Sequence, residues 1–173
     1  EKGFTKHPDS RELGPQRPGD NRGPKSYDRC HGRSWLPILG ETEPQGWDEI
    51  GASHTFHEIQ MYYPMRVLRD RRYKLIWNVA HGQPYPFASD LWAAASWQAQ
   101  RKKGSEAPYG STTVDGYIHR PQFELFRVAT DPTESINLAG DPDYASVLED
   151  MKKRLKALQR DTGDPWALKW KYE

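Results

Sequence analysis

The segment Phe123-Glu-Leu-Phe-Arg-Val-Ala-Thr-Asp-Pro-Thr-Glu-Ser-Ile-Asn-Leu138 decides the fold of this chain. Phe123, Leu125 and Val128 predict a short strand. Asp131-Pro132 ends this strand, because proline cannot donate to a strand ladder and an Asp side chain favours a turn by bonding its own backbone. Glu134 and Asn137 follow the turn, and Leu138 restores apolar character. The segment therefore predicts a strand and an Asp-Pro turn that lead toward a closing helix.

The closing helix is predicted from Asp141, as its N-cap, and Pro142, at its first position. Gly163-Asp-Pro-Trp166 ends it. Its apolar residues recur at helical spacing and form one stripe: Tyr144, Val147, Leu148, Met151, Leu155 and Leu158. Three aromatic residues follow in a polar tail, from which they could dock on another domain: Trp166, Trp170 and Tyr172.

Upstream, residues 58–68 and 72–79 predict a β-hairpin turned at Asp70-Arg71, with a bulge or an edge at Pro64. A helix is predicted from Ser89, as its cap, to Gly104, with one face made of Leu91, Trp92, Ala95 and Ala99. Residues 104–120 lack periodicity. The predicted fold class is therefore α+β: a small antiparallel β-sheet packed by the C-terminal amphipathic helix, with Trp77, Trp92 and Tyr144 in the core.

Composition divides the chain into three parts. Residues 1–31 are predicted to be a disordered or draped arm, because the first 34 residues hold four prolines and five glycines and few apolar side chains. Residues 32–168 form the predicted subdomain, and residues 169–173 the tail. Mean hydropathy is -0.97, which is low for an independent core. We expect no membrane span, no signal peptide and, with one cysteine, no internal disulfide.

The net charge of +1 argues against a dedicated nucleic-acid binder, which normally carries a marked basic excess. Two basic clusters still need an explanation. Arg101-Lys-Lys103 fits a helix C-terminus, where cations are favoured. For the cluster between Arg66 and Lys74 two interpretations remain open: a solvated strand and turn, or a surface that attracts a polyanionic glycan.

Five segments occur in a definite order and spacing: Gly32-Arg-Ser-Trp-Leu-Pro-Ile-Leu39, Ser53-His-Thr-Phe-His-Glu58, Met61-Tyr-Tyr-Pro-Met-Arg66, Arg72-Tyr-Lys-Leu-Ile-Trp-Asn78 and Tyr117-Ile-His-Arg-Pro121. With the Asp131-Pro132 turn and the closing helix, they resemble the C-terminal subdomain of the sulfatase family, and most closely its sulfamidase branch. The resemblance covers about residues 24–168. It implies a hydrolase of sulfated glucosamine in heparan-type glycans, in a secreted, periplasmic or lysosomal setting.

Sulfatases of this type work with a formylglycine, made from Cys or Ser in a Cys-x-Pro-Ser-Arg-type motif, and with calcium. Cys30-His-Gly-Arg-Ser34 lacks the proline and places Arg before Ser, and Asp20-Asn21 lacks the apolar strand and glycine of a calcium pair. We therefore expect this chain to bind neither cofactor, to hold no catalytic residue, and to need an N-terminal sulfatase catalytic domain as its partner. The alternative is a non-catalytic module that binds glycans or proteins.

The residues predicted to carry chemistry lie in and after Ser53-His54-Thr55-Phe56-His57-Glu58. Two histidines and a carboxylate can bond sugar hydroxyls, pair with sulfate or exchange protons. A zinc site lacks a third ligand at a useful spacing, and a purely structural loop remains an alternative. The resemblance favours a substrate-facing loop, so the predicted substrate-binding residues are His57 and Glu58, followed by His54, Arg66 and Tyr63.

Overall fold

The computed structural model describes residues 34–58 and 61–172. The predicted arm, Cys30 and Asp20-Asn21 lie outside the described residues, as does the predicted boundary between residues 31 and 32. The chain divides into a unit ending at Trp47 and a unit beginning at Asp48. The described part of the first unit contains one 3-10 turn, Leu36–Ile38, with Trp35, Leu36 and Leu39 exposed.

The second unit contains strands, α-helices and 3-10 turns, which follow one another in chain order: β1 (Glu49–His57), β2 (Met61–Asp70), β3 (Lys74–Asn78), α1 (Ser89–Ala93), α2 (Ala95–Arg101), β4 (Pro108–Tyr109), β5 (Thr112–Thr113), α3 (Val114–Ile118), β6 (Phe123–Phe126), a 3-10 turn (Pro142–Tyr144), α4 (Ala145–Asp161) and a second 3-10 turn (Pro165–Lys171). None of the helices in the described ranges is long and apolar enough to cross a membrane.

Four of the strands form an antiparallel sheet in the order β1-β2-β3-β6. One row crosses the whole sheet, because Gly51 lies opposite Leu68, Leu68 opposite Leu75, and Leu75 opposite Leu125. The predicted β2–β3 hairpin is confirmed. Asp70 closes its turn by accepting hydrogen bonds from the backbone N–H groups of Arg72 (2.8 Å) and Tyr73 (2.7 Å).

The predicted bulge at Pro64 is confirmed. His54 lies opposite Met65 and Phe56 opposite Tyr62, so β2 contains one more residue than β1 between these pairs. The Pro64 carbonyl remains in use and accepts a hydrogen bond from Val79 N–H at 3.0 Å. A proline fits here because the bulge spares it the donor that a regular ladder position would require.

Helix α4 covers one face of the sheet. The predicted α+β fold is therefore confirmed. Met151 and Leu155 of the α4 stripe are buried against Leu68, Leu75 and Trp77, and the other predicted stripe residues pack around them. Asp141 caps the 3-10 turn that leads into α4 by accepting from Asp143 N–H at 2.9 Å, and α4 itself begins at Ala145. The tail prediction is wrong for two of its aromatic residues. Trp170 stacks on Trp77 with ring centroids 3.9 Å apart, and Trp166 packs against the same core.

The segment between β3 and β6 builds a second apolar cluster around Trp97, Ala107 and Val114. The single helix predicted from Ser89 to Gly104 is wrong, because the backbone is extended at Ala94 (ψ 128°) and separates α1 from α2. This break lets Trp97 become buried, whereas Trp92, which we predicted in the core, is 42% exposed. Ala88, rather than the predicted Ser89, is the N-cap of α1.

The segment after β6 is held by two side chains of the Phe123–Leu138 motif, Asp131 and Asn137. Asp131 accepts from the backbone N–H groups of Ser135 (2.8 Å) and Ile136 (2.9 Å). Asn137 accepts from Leu125 N–H (2.9 Å) and Ala139 N–H (3.0 Å) and donates to the Phe123 carbonyl (3.2 Å). Asn137 therefore acts as a side-chain extension of the β6 ladder, on the edge that faces away from β3.

Candidate functional site

The residues predicted to bind substrate lie in strands, not in a loop. Ser53–His57 belongs to β1, an edge strand, so the predicted loop is corrected for these residues. Only Glu58 follows the strand, with a positive φ of 57° that ends the extended conformation. Sequence reasoning missed this strand because Gly51-Ala52-Ser53, in its first half, shows no alternation of large apolar and polar side chains.

The described end of the β1–β2 hairpin, which we name the hairpin tip, consists of Phe56, His57, Glu58 and Tyr62. His57 lies opposite Met61, and Phe56 lies opposite Tyr62. Phe56 is 66% exposed and Tyr62 53%, although both are large aromatic side chains. His57 and Glu58 are also exposed. The hairpin tip therefore presents an imidazole and a carboxylate beside two aromatic rings, groups that suit hydrogen bonding and packing with a polar ring ligand.

His54 is turned to the protein rather than to solvent. Its Nδ1 lies 3.0 Å from the Tyr63 carbonyl, across the bulge. Its own carbonyl accepts from the Arg66 guanidinium at 3.1 Å. Both contacts join β1 to β2 where the regular register is broken. His54 therefore supports the base of the hairpin tip.

Arg66 lies at the centre of a buried polar network. Its Nε and Nη2 donate to the two carboxylate oxygens of Asp164 at 2.7 and 2.9 Å. Gln159 also donates to Asp164 (2.6 Å) and accepts from the Trp170 indole N–H (2.6 Å). Burial alone would raise the pKa of the Asp164 carboxyl, but the hydrogen bonds from Arg66, Gln159 and the Trp166 backbone hold it below its ordinary value.

Tyr63 is fully buried, and its hydroxyl has no hydrogen-bond partner among the described residues. Its ring contacts Tyr85 edge-on, with centroids 5.1 Å apart. Burial raises the pKa of the Tyr63 hydroxyl; the charge of Arg120 acts in the opposite direction. The Arg120 guanidinium lies over the Tyr85 ring, 3.7 Å from its centroid, and 5.3 Å from the centroid of Tyr117.

The structure thus separates the five predicted residues into three groups. His57 and Glu58 lie together at the exposed hairpin tip. His54 and Arg66 support it from within, joined by the Arg66 contact to the His54 carbonyl. Tyr63 faces the aromatic group of Tyr85. Sequence reasoning missed Asp164, Gln159 and Arg120. Arg120 carried a signal because it lies in the Tyr117–Pro121 segment, whereas Asp164 was noted only as part of the segment that ends the closing helix.

A metal site does not emerge from the described ranges, where no three His, Cys, Asp or Glu side chains are grouped to hold an ion. His54, His57 and Glu58 form no such group, so they lack the convergence of ligands that zinc requires. The donor set of calcium, several carboxylate and carbonyl oxygens, is equally missing from this part of the chain. The described residues therefore do not fit either ion.

Comparison with known proteins identifies relatives, although no protein-family model matches the chain. N-sulphoglucosamine sulphohydrolase of Homo sapiens is 34% identical over 137 residues, covering 78% of this chain and 27% of the relative. An ulvan-active sulfatase of Formosa agariphila is 26% identical over 144 residues, covering 82% of the chain and 27% of the relative. The chain thus spans about a quarter of the length of the curated relatives it matches.

Solved structures also align with most of this chain. A crystal structure of a sulfatase of Bacteroides thetaiotaomicron aligns over 80% of this chain and 22% of its own, with 19% identity and a TM-score of 0.49. A protein solved with its substrate D-glucosamine-2-N,6-O-disulfate aligns over 78% of this chain and 20% of its own, with 16% identity and a TM-score of 0.48. On the sequence relationship over most of its length, the chain belongs to the sulfatase family.

Proposed function

We propose that this chain is the C-terminal part of a sulfohydrolase that removes sulfate from sulfated glucosamine in heparan-type glycans. The observation that carries the proposal is the 34% identity to N-sulphoglucosamine sulphohydrolase over 78% of the chain. Under this proposal the partner is an N-terminal sulfatase catalytic domain, and the enzyme acts in a secreted, periplasmic or lysosomal setting.

The catalytic groups belong to that partner domain. The described residues do not fit calcium, and Cys30-His-Gly-Arg-Ser34 lacks the proline of the formylglycine motif. The chain alone is therefore inactive under this proposal, and its contribution to the enzyme is recognition. Glu58 accepts hydrogen bonds from sugar hydroxyls, and His57 accepts them or, when protonated, pairs with a sulfate. Phe56 and Tyr62 provide apolar surface beside them.

The experiment uses the full-length parent enzyme with His57→Ala and Glu58→Gln. A group that binds ground state and transition state equally affects KM and leaves kcat nearly unchanged. Each variant should lower kcat/KM on a heparan oligosaccharide about ten- to a hundredfold, as expected for a lost hydrogen bond of about 1.5–3 kcal/mol to a charged group. A small aryl sulfate, which does not extend to the hairpin tip, should be hydrolysed as before.

Two variants away from the hairpin tip serve as controls. Glu149→Gln removes an exposed carboxylate on α4 that pairs with Lys152, and His81→Ala removes a histidine whose Nδ1 lies 3.2 Å from the Asn78 carbonyl. Both should leave the oligosaccharide kinetics unchanged. Equal losses on both substrates together with a lower Tm would show that the hairpin tip is only structural. A parent that binds the oligosaccharide and hydrolyses neither substrate would favour a non-catalytic glycan-binding module.

A further inference from the structure

Arg120 differs from the other shielded arginines of the described residues. Three arginines there are buried or half-buried: Arg66, Arg120 and Arg154. Arg66 pairs with Asp164, and Arg154 pairs with Glu49, Asp70 and Asp150. Arg120 has no carboxylate partner within the described ranges. A cation withdrawn from water without an anion is unfavourable, so the site favours an anion from elsewhere.

The contacts of Arg120 fix its orientation without neutralising its charge. Its guanidinium lies 3.7 Å from the Tyr85 centroid, a cation–π contact. Its Nη1 donates weakly to the Met65 sulfur at 3.6 Å, and its guanidinium lies 5.3 Å from the Tyr117 ring centroid. These partners are uncharged. Because a guanidinium has five N–H donors, donors remain for a ligand in a side chain already held in place.

The nearby carboxylates have other partners. Glu124 accepts from the Asn78 amide at 2.6 Å, and Asp115 bonds His119 at 2.8 Å. Tyr63 helps to hold the Tyr85 ring in place through its edge contact with that ring. Nothing within the described residues therefore competes for Arg120 with an incoming anion at ion-pair distance.

We propose that Arg120, held on Tyr85 and Tyr117, binds an oxyanion of the glycan. Sulfate groups and uronate carboxylates each offer two anionic oxygens that a guanidinium fork can bind by paired hydrogen bonds. This inference rests on the proposed function, since a sulfated glycan supplies such groups. It adds a binding residue in the segment between β3 and β6, separate from the hairpin tip.

The test measures binding by the intact 173-residue chain, with a heparin tetrasaccharide, its N-desulfated and N-acetylated counterpart, and sodium sulfate as probes. Arg120→Gln should weaken tetrasaccharide binding about ten- to a hundredfold, the loss expected for one charge-assisted contact. The matched control is Arg101→Gln, which removes an equal charge lying 4.5 Å from the Trp92 centroid and should leave binding unchanged. Retained binding of the N-desulfated probe assigns a uronate carboxylate or an O-sulfate, and lost binding assigns the N-sulfate group.

A second measurement covers the case in which Arg120→Gln disturbs folding. Arg120→Lys keeps the positive charge and loses the paired N–H donors of the guanidinium. This variant should therefore retain the Tm of the unaltered chain and bind the tetrasaccharide with intermediate affinity. In the unaltered chain, the Arg120 Nε–H resonance should shift on addition of the tetrasaccharide. An unshifted resonance at saturation, or equal weakening by Arg120→Gln and Arg101→Gln, overturns the proposal. Binding that depends on Arg120 in a parent that hydrolyses nothing would refute the proposed sulfohydrolase while leaving this site intact.

Discussion

At the scale of single residues, the arrangement depends on one ion pair that solvent hardly reaches. The side chains of Arg66 and Asp164 are 2% and 0% exposed. Removing one partner of such a pair is costly because the other charge stays buried, whereas an exposed ion pair contributes little to stability. Arg66 also holds the His54 carbonyl at 3.1 Å, so the pair connects the region after α4 with the base of the hairpin tip.

We expect Asp164→Asn to lower the free energy of unfolding by about 3–5 kcal/mol, because the buried Arg66 guanidinium then loses the charge of the carboxylate to which it donates two hydrogen bonds. Urea denaturation measures this loss. The matched control is Asp48→Asn, whose partner Arg71 and own side chain are 53% and 58% exposed. It should cost about 0–1 kcal/mol. Similar costs for the two variants would contradict the stabilising role assigned to the buried pair.

The lowered pKa of Asp164 also predicts a pH dependence. The unfolded carboxyl binds a proton more readily than the folded one, so its contribution to stability is complete above the unfolded pKa of about 3.9. The contribution is lost as the pH falls below that value and through the lower folded pKa. Unfolding free energies measured between pH 6 and 2 should therefore converge for the unaltered chain and Asp164→Asn at the acidic end. A constant difference throughout would contradict the shift.

Tyr63→Phe offers a test of the buried hydroxyl. Because this hydroxyl has no described partner, its removal should leave stability unchanged or raise it by about 1 kcal/mol, rather than produce the loss that follows when a satisfied group is deleted. Thermal unfolding of the chain measures the effect. Tyr73→Phe, on a half-buried tyrosine of the β2–β3 turn, is the control. A clear destabilisation by Tyr63→Phe alone would show that the hydroxyl has a partner.

At the scale of elements, Asn137 is the residue by which the opening motif stabilises β6. Asn137→Ala should destabilise the fold by about 1–3 kcal/mol, because the backbone N–H of Leu125 loses its acceptor. Asn137→Asp keeps the acceptor oxygen and loses only the donor to the Phe123 carbonyl, so it should cost less. Urea denaturation of both variants checks the order. Equal costs would mean that the donor matters as much as the acceptor.

The local sequence predicted the elements whose caps, turn residues or apolar spacing are visible within a short stretch of the chain. The cap at Asp141, the stripe through Met151 and Leu155, and the β2–β3 hairpin were all correct, since their patterns are local. Strand β1 was missed because it is an edge strand held by its pairing with β2. The break at Ala94 was missed because its cause, the burial of Trp97 among Phe87, Tyr109 and Tyr117, is tertiary.

At the scale of the whole molecule, the candidate site could be predicted only in outline. The sequence indicated His57 and Glu58, which lie together at the exposed hairpin tip. It could not indicate that Arg66 forms an ion pair with Asp164, because the two residues lie 98 positions apart in the sequence. The sequence equally could not indicate that no described carboxylate pairs with Arg120, because this depends on how Tyr85 and Tyr117 pack around its guanidinium.

We expect the 173-residue chain alone to hydrolyse neither an aryl sulfate nor N-sulfated glucosamine, because Cys30-His-Gly-Arg-Ser34 does not match the formylglycine motif. Sulfate release over hours measures this. Turnover that survives Cys30→Ala would contradict the need for a partner catalytic domain. Turnover abolished by Cys30→Ala would instead identify Cys30 as a nucleophile.

The long separation between Arg66 and Asp164 bears on how the chain is made. Strand β2 leaves the ribosome long before the acid that neutralises its arginine, 98 residues later. Until then the Arg66 guanidinium needs water, so the sheet cannot close around it at full stability. The segment after α4 supplies Asp164 together with Trp166 and Trp170. A nascent chain stalled at residue 162 should therefore remain open to proteases, and the emergence of the segment after α4 sets the moment at which this unit becomes native.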